Sequence, residues 1–306
     1  MQQKFSPSYI KLYKTGELEK RIEKAYQILK KCVLCPNFCK TNREIEKGKC
    51  NSLLNPIISS YNLHFGEEPP ISGFNGSGTI FFTNCTMKCI YCQNYPISQL
   101  HNGKEISVKE LADIFLYLQK KNAHNINFVT PTHFVPQILN ALHIAIKNGF
   151  NLPLVYNTSG YESPITLKLL DGIIDIYLPD IKYMDDKTSL EYSGVTNYTK
   201  FNQIAIKEMY KQVGDLKLDE KNIAYRGLLI RHLVLPGHIE NSKKVFDFLK
   251  NEIGTNINIS LMSQYFPAYK AINHKIINRK LKKDEYENII EYALKLGFEN
   301  IFIQEI

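Results

Sequence analysis

From residue 79 onward, short runs of β-branched and aromatic residues alternate with amphipathic helical stretches about six times. This is the pattern of parallel βαβ units, whose strands are buried on both faces. The runs "TIFFTN", "INFVTP", "LPLVYNTS", "IIDIYLPDIK", "GLLIRHLVLP" and "INISLMSQY" read as strands, with "IFIQEI" as a short last one. Helices are predicted between them. Ser107 and Glu110 make a capping box, Ser163 and Pro164 open a helix, and Gly149 closes one. No glycine-rich dinucleotide fingerprint follows the first strand, which argues against a Rossmann fold. The expected class is α/β: a TIM-barrel-like parallel (β/α) partial barrel of about six βα units.

Ahead of the barrel, residues 17–31 predict a helix running into "CVLCPNFCKTNREIEKGKC". Residues 55–78, rich in Gly, Pro and Ser, read as a long irregular connection. The expected organisation is an N-terminal helix with a four-cysteine metal-binding loop over 1–54. The barrel core then runs over 55–306, with its C-terminal helix and strand. A chain of 306 residues with 44% hydrophobic content supports one large core plus a small appendage. The polar opening lacks a signal-peptide core, and no apolar run is long enough to span a membrane. A soluble cytoplasmic protein is expected. The net charge of +8 comes mostly from lysines spread along the chain. No arginine cluster interleaves with aromatics, which argues against nucleic acid as a partner.

All seven cysteines lie between Cys32 and Cys92. Such clustering in a chain without a secretory signal favours metal or redox chemistry over disulfides. The first group, Cys32, Cys35, Cys39 and Cys50, has the spacing of a closed zinc site or an iron–sulfur site. The second group, Cys85, Cys89 and Cys92, stops at three. Three readings are open: a zinc site that borrows His101, one site shared by all seven cysteines, or a [4Fe–4S] cluster held through three irons. In the last, the missing fourth ligand leaves a position free, as in a catalytic zinc site.

In a parallel barrel the chemistry sits where strands end. The strand ends here carry the three cysteines, then Thr130, Thr132 and His133, then "YNTSG", then Asp180 and Lys182, then Arg231 and His232, then Ser263, Gln264 and Tyr265. Asp180 and Lys182 flank Ile181, so on a strand both face one way. They form either an inward pair that binds a polar ligand or an exposed salt bridge of little worth. His124 and His143 read as ordinary surface or helix residues.

With these residues in place, the chain resembles the radical S-adenosylmethionine superfamily over about residues 55–270. The resemblance rests on C-x3-C-x2-C after the first barrel strand, with Tyr91 before the last cysteine. "DIKYMDDKTSLEYSGVTNYTKF" and "IRHLVLPG" are similar to segments of pyruvate formate-lyase activating enzymes. "HFGEEPPISGFNGSGTIFFTNCTMKCIYCQNYPIS" and the N-terminal cysteine segment resemble the narrower PflX-type branch. The resemblance implies a [4Fe–4S] cluster on Cys85, Cys89 and Cys92, with S-adenosylmethionine on the fourth iron. It places Tyr91 and Gln93 beside the adenine or the cluster. Asn157 and Ser159, Asp180 and Lys182, His232, Gln264 and Tyr265 stand at cofactor-contact positions. Thr132 and His133 stand where relatives carry a "GGE"-like motif, without its glycines and glutamate.

The implied reaction is reductive cleavage of S-adenosylmethionine to a 5′-deoxyadenosyl radical that abstracts hydrogen. The cofactors carry that chemistry, and the protein supplies binding and shielding. The implied target is a protein made into a glycyl radical, or a peptide. An electron donor such as flavodoxin or ferredoxin is implied. The alternatives are a small-molecule or tRNA target, or a zinc-binding protein without enzymatic activity. The four N-terminal cysteines imply a second metal, zinc or iron–sulfur. No catalytic side chain beyond the cofactor contacts is singled out.

Overall fold

A computed structural model describes residues 6–306; residues 1–5, the start of the polar opening read above, lie outside it. Ten strands form one sheet. They are β1 (Ile57–His64), β2 (Ser77–Phe82), β3 (Lys104–Glu105), β4 (Ile126–Val129), β5 (Leu154–Thr158), β6 (Ile176–Pro179), β7 (Lys217–Leu218), β8 (Ala224–Leu233), β9 (Asn258–Met262) and β10 (Ile301–Ile303). The order is β10-β9-β8-β6-β5-β4-β2-β1-β3, with β7 beside β8. From β2 to β10 every pair along this path is parallel. β1 and β3 are antiparallel additions at one edge. The order runs from one edge to the other without closing, so the barrel is open, as the βα alternation led us to expect.

The helices stand where the 3.6-residue pattern placed them. Ser107 caps Val108–Lys120, accepting from the Glu110 N–H while Glu110 reaches back to the Ser107 N–H. Ser163 caps Pro164–Leu170 in the same way, accepting from the Ile165 N–H. Each cap satisfies amide donors that the first helical turn leaves orphaned. Strand side chains such as Phe82, Phe128 and Tyr156 meet helix side chains such as Leu111, Leu139 and Ala205 in one buried core. Full burial of each large apolar side chain contributes roughly 1.5–3 kcal/mol. The helix Glu17–Leu29 packs into that same core through Leu18 and Ala25, preceded by a short helix, Tyr9–Lys14, that contributes Tyr9.

The segment 55–78 is not irregular. Eight of its residues form β1, paired antiparallel with β2 from Ile58↔Phe82 to His64↔Ser77. Its middle is exposed on both faces, so it lacks the alternation that betrays a half-buried strand. Another unexpected element is the helix Asp186–Ser193, whose polar sequence hides its period. Among the described residues no helix is long and apolar enough to cross a membrane.

Candidate active site

The chain leaves β2 through Thr83 and Asn84, the latter in the left-handed region at φ 75. It then folds into the loop that carries Cys85, Cys89 and Cys92. Backbone bonds lace this loop to the end of helix Asp186–Ser193: the Lys88 N–H donates to the Ser193 carbonyl and the Ile90 N–H to the Tyr192 carbonyl, both at 2.8 Å. Each sulfur has one polar neighbour. The Met87 N–H donates to Cys85 at 3.4 Å, Ser193 Oγ lies 2.9 Å from the Cys89 sulfur, and Ser98 Oγ lies 3.1 Å from that of Cys92.

Cys85, Cys89 and Cys92 all line a cavity of about 740 Å³ inside the open barrel. That volume is within the range of small-molecule sites, roughly 300–1,000 Å³. Two charged groups occupy its walls. Lys182 Nζ lies 2.5 Å from Asp180 Oδ2. Burial works against the lysine's charge, but Asp180 more than offsets it and holds Lys182 above its ordinary pKa. It is a fixed cation. Beside it, bridged to Asp180 across the neighbouring strand, stands Arg231, whose guanidinium donates twice to Glu68 at 2.6 Å and also to Glu67. Burial pushes Glu68 up, and Arg231 more than offsets it, leaving its carboxyl below the usual range. Asn127 Nδ2 donates to Glu67 at 2.9 Å. The hairpin of β1 and β2 returns the chain to the start of β2, so the two glutamates reach the interior from the end opposite the cysteines.

Asp180 and Lys182 therefore face the cavity together, as their alternation with the buried Ile181 requires. Tyr91, Gln93, Asn157, Ser159 and Gln264 line it too, and Gln93 Nε2 donates to the Gln264 carbonyl at 2.9 Å. The Tyr91 hydroxyl turns away and lies 2.7 Å from that of Tyr183. Thr130 lines the mouth in the left-handed region at φ 58, a strained conformation for a β-branched residue.

Four expected cofactor contacts do not border this cavity, which corrects the reading of the strand ends. Arg231 and His232 are adjacent on β8 and point to opposite faces. His232 is buried on the helix side, 2.8 Å from Ser242 Oγ, and burial pushes its pKa down to about 4. Gln264 and Tyr265 also part, and the Tyr265 hydroxyl donates to the Ile277 carbonyl at 2.6 Å. Thr132 and His133 lie in a 3-10 turn. That turn carries them beneath the site, where the Thr132 hydroxyl donates to Glu162 and His133 Nε2 lies 2.8 Å from the Thr83 carbonyl. His101 bonds Asn84, with Nδ1 2.6 Å from its Oδ1, and does not join the three sulfurs. Glu67 and Glu68, which the strand-end reading missed, lie in the "HFGEEPPIS" segment ahead of the first parallel strand, away from every strand end.

The four N-terminal cysteines gather in one loop, three of them buried. Among the described residues, no three His, Cys, Asp or Glu side chains converge closely enough to hold a single metal ion. The donor chemistry of the barrel site nonetheless fits a cluster. Burial pushes the thiol pKa of Cys85 up to about 12 and that of Cys89 to about 11. Bare thiols would stay protonated there, whereas a bound metal deprotonates its sulfur ligands outright. Three cysteines lining one cavity with a fixed cation suit a cluster that shares its site with a charged small molecule.

An open parallel barrel with a thiol triad after its first parallel strand defines a class, and the comparisons place the chain in it. Residues 79–249 match the radical SAM superfamily, and the chain belongs to that family. An uncharacterized protein of Methanocaldococcus jannaschii is 34% identical over 302 residues, 94% of this chain and 82% of the relative. The pyruvate formate-lyase 1-activating enzyme of Escherichia coli is 26% identical over 187 residues, 55% of this chain and 68% of the enzyme. Among solved structures, spore photoproduct lyase superposes with a TM-score of 0.52 at 13% identity, covering 80% of this chain and 79% of that one. SuiB of Streptococcus suis bound to S-adenosylmethionine gives 0.50 at 12%, with 73% of this chain spanning 48% of SuiB. At these identities the structural likeness is one of fold. Family membership implies an enzyme with a [4Fe–4S] cluster and S-adenosylmethionine.

Proposed function

We propose that Cys85, Cys89 and Cys92 bind the [4Fe–4S] cluster and that the enzyme acts on a protein or peptide, glycyl-radical activation being one such outcome. When bound, cluster and S-adenosylmethionine together supply reductive cleavage to methionine and a 5′-deoxyadenosyl radical. The chain's own residues bind and orient. Lys182, fixed by Asp180, pairs with the carboxylate of S-adenosylmethionine, and Gln93, Asn157, Ser159 and Gln264 offer polar contacts around it. The barrel wall screens the reacting groups from water.

The observation that carries this reading is that Cys85, Cys89 and Cys92 line one cavity with the Asp180–Lys182 pair. The similarity to pyruvate formate-lyase 1-activating enzyme supports a protein target. A flavodoxin or ferredoxin is the proposed electron donor, and the cytoplasm the proposed compartment. Cys32, Cys35, Cys39 and Cys50, in the proposed N-terminal unit of 1–54, hold a second metal, zinc or iron–sulfur. The test is anaerobic purification with iron and sulfide analysis, followed by an assay for 5′-deoxyadenosine with dithionite as reductant. Labile sulfide lost in Cys89→Ser, together with product in the wild type, supports the reading. Zinc without sulfide at these cysteines overturns it.

A further inference from the structure

The N-terminal cysteine loop does not stand apart from the barrel; it is fastened to the four residues that carry Cys85. Asn37 Nδ2 donates to the Thr86 carbonyl at 2.7 Å. Asn84 Nδ2 donates back to the Asn51 carbonyl at 3.1 Å and to Ser52 Oγ at 2.9 Å. A third link runs through Arg43, which donates to the His133 carbonyl at 2.5 Å while His133 Nε2 meets the Thr83 carbonyl at 2.8 Å. Thr83, Asn84 and Thr86 are thus each held by the cysteine loop or by a residue bound to it.

Two observations point to a ligand inside that loop. The first is a side-chain amide aimed at sulfur: Asn37 Nδ2, which holds the Thr86 carbonyl, also donates to the Cys35 sulfur at 3.6 Å. A thiolate accepts such bonds far better than a thiol, and metals hold sulfur as thiolate. The second is Arg43. It is fully buried, and among the described residues no carboxylate pairs with it. Its guanidinium donates only to the carbonyls of Ser52, His133 and Leu53. A buried charge needs an opposite one nearby. The Cys39 and Cys50 sulfurs both flank Gly48 beside the Arg43 stem. Four thiolates around zinc or an iron–sulfur core carry net negative charge and supply the missing partner.

We infer that this metal–thiolate site, with Arg43 as its countercharge, is a clamp that sets the position of the Thr83–Thr86 segment and so of the barrel cluster. The inference rests on the reading of Cys85, Cys89 and Cys92 as cluster ligands. Among the described residues no three of these sulfurs converge on one point. Binding metal therefore orders the loop, and the binding energy becomes folding energy.

The test uses the full chain, purified anaerobically as wild type, Cys35→Ser and Asn37→Ala. Zinc, iron and labile sulfide are measured, and the paramagnetic resonance spectrum of the reduced protein is recorded with and without S-adenosylmethionine. Cys35→Ser is expected to lose zinc, or part of its iron and sulfide, and that difference identifies the metal. The signal that remains is expected to weaken or change shape. Asn37→Ala cuts the link to Thr86, and with it the longer 3.6 Å contact to the Cys35 sulfur, while keeping all four cysteines. It is expected to retain the N-terminal metal and still alter the signal that responds to S-adenosylmethionine. Unchanged metal and sulfide in Cys35→Ser overturns the site. Lost metal with an unchanged barrel signal overturns the clamp. If Cys35→Ser does not fold, a wild-type signal in Asn37→Ala overturns the clamp on its own. If the wild type itself shows no cluster signal, the proposed function has failed, and the N-terminal site stands or falls by whether a chelator lowers the melting temperature.

Discussion

The Ser193 hydroxyl lies 2.9 Å from the sulfur of Cys89. The same oxygen is 2.6 Å from the Tyr183 hydroxyl, which in turn meets Tyr91 at 2.7 Å. A buried chain of hydroxyls therefore ends on a proposed cluster ligand. Hydrogen bonds to a ligand sulfur stabilise the more negative, reduced cluster and raise its potential. Ser193→Ala is expected to shift the potential of the barrel cluster negative while iron and sulfide content is retained. A redox titration followed by paramagnetic resonance checks this; an unchanged potential removes Ser193 from the account.

Lys182 is the cation that the cavity presents beside Cys89. Losing a charge-assisted bond costs about 1.5–3 kcal/mol, roughly 10–100-fold in affinity. Lys182→Met is expected to weaken S-adenosylmethionine binding by that order, with the cluster content unchanged. Equilibrium binding to the reconstituted protein measures it, and wild-type affinity would exclude Lys182 as the carboxylate partner.

Arg231 neutralises two buried glutamates. Removing one partner of a buried ion pair costs about 3–5 kcal/mol, because the other charge is left without compensation. Arg231→Met is expected to lose stability on that scale in denaturant unfolding. Adding Glu67→Gln and Glu68→Gln to it should restore most of the loss. A triple variant no more stable than Arg231→Met would mean that packing of the arginine stem, not charge, holds this wall together.

Glu162 gives a pH signature. Burial pushes its carboxyl pKa up to about 7, against the hydroxyls of Thr132, Thr158 and Tyr156 that favour the ionised form. Between about pH 4.5 and 7 the folded state keeps a proton that the unfolded state releases, so stability falls as pH rises through that window. Glu162→Gln abolishes the term, which is worth about 3 kcal/mol at most. Its melting temperature relative to wild type is expected to be higher at pH 8 than at pH 5. Parallel curves for the two proteins would mean that Glu162 does not titrate in this range.

How far the sequence revealed this architecture follows from where each signal is local. The parallel strands, the Ser107 and Ser163 caps and the same-facing Asp180 and Lys182 are encoded within a few residues of one another, and the structure has them as read. Strand β1 was illegible because its exposed middle has no apolar period. The pair Arg231–His232 on β8 shows a sharper limit. A strand end can be located from sequence, but its register decides which of two neighbours faces inward, and packing sets the register. Glu67 and Glu68 enter the cavity only because the hairpin folds back along β2, a long-range event with no local trace.

The most direct measurement is the product of S-adenosylmethionine with the reduced, reconstituted chain, read beside labile sulfide for wild type and Cys89→Ser. The expected result is methionine and 5′-deoxyadenosine from the wild type, with cluster sulfide and both products lost in the variant. Product formation by Cys89→Ser at the wild-type level, or a wild type that holds zinc without sulfide and forms no 5′-deoxyadenosine, would contradict the central claim.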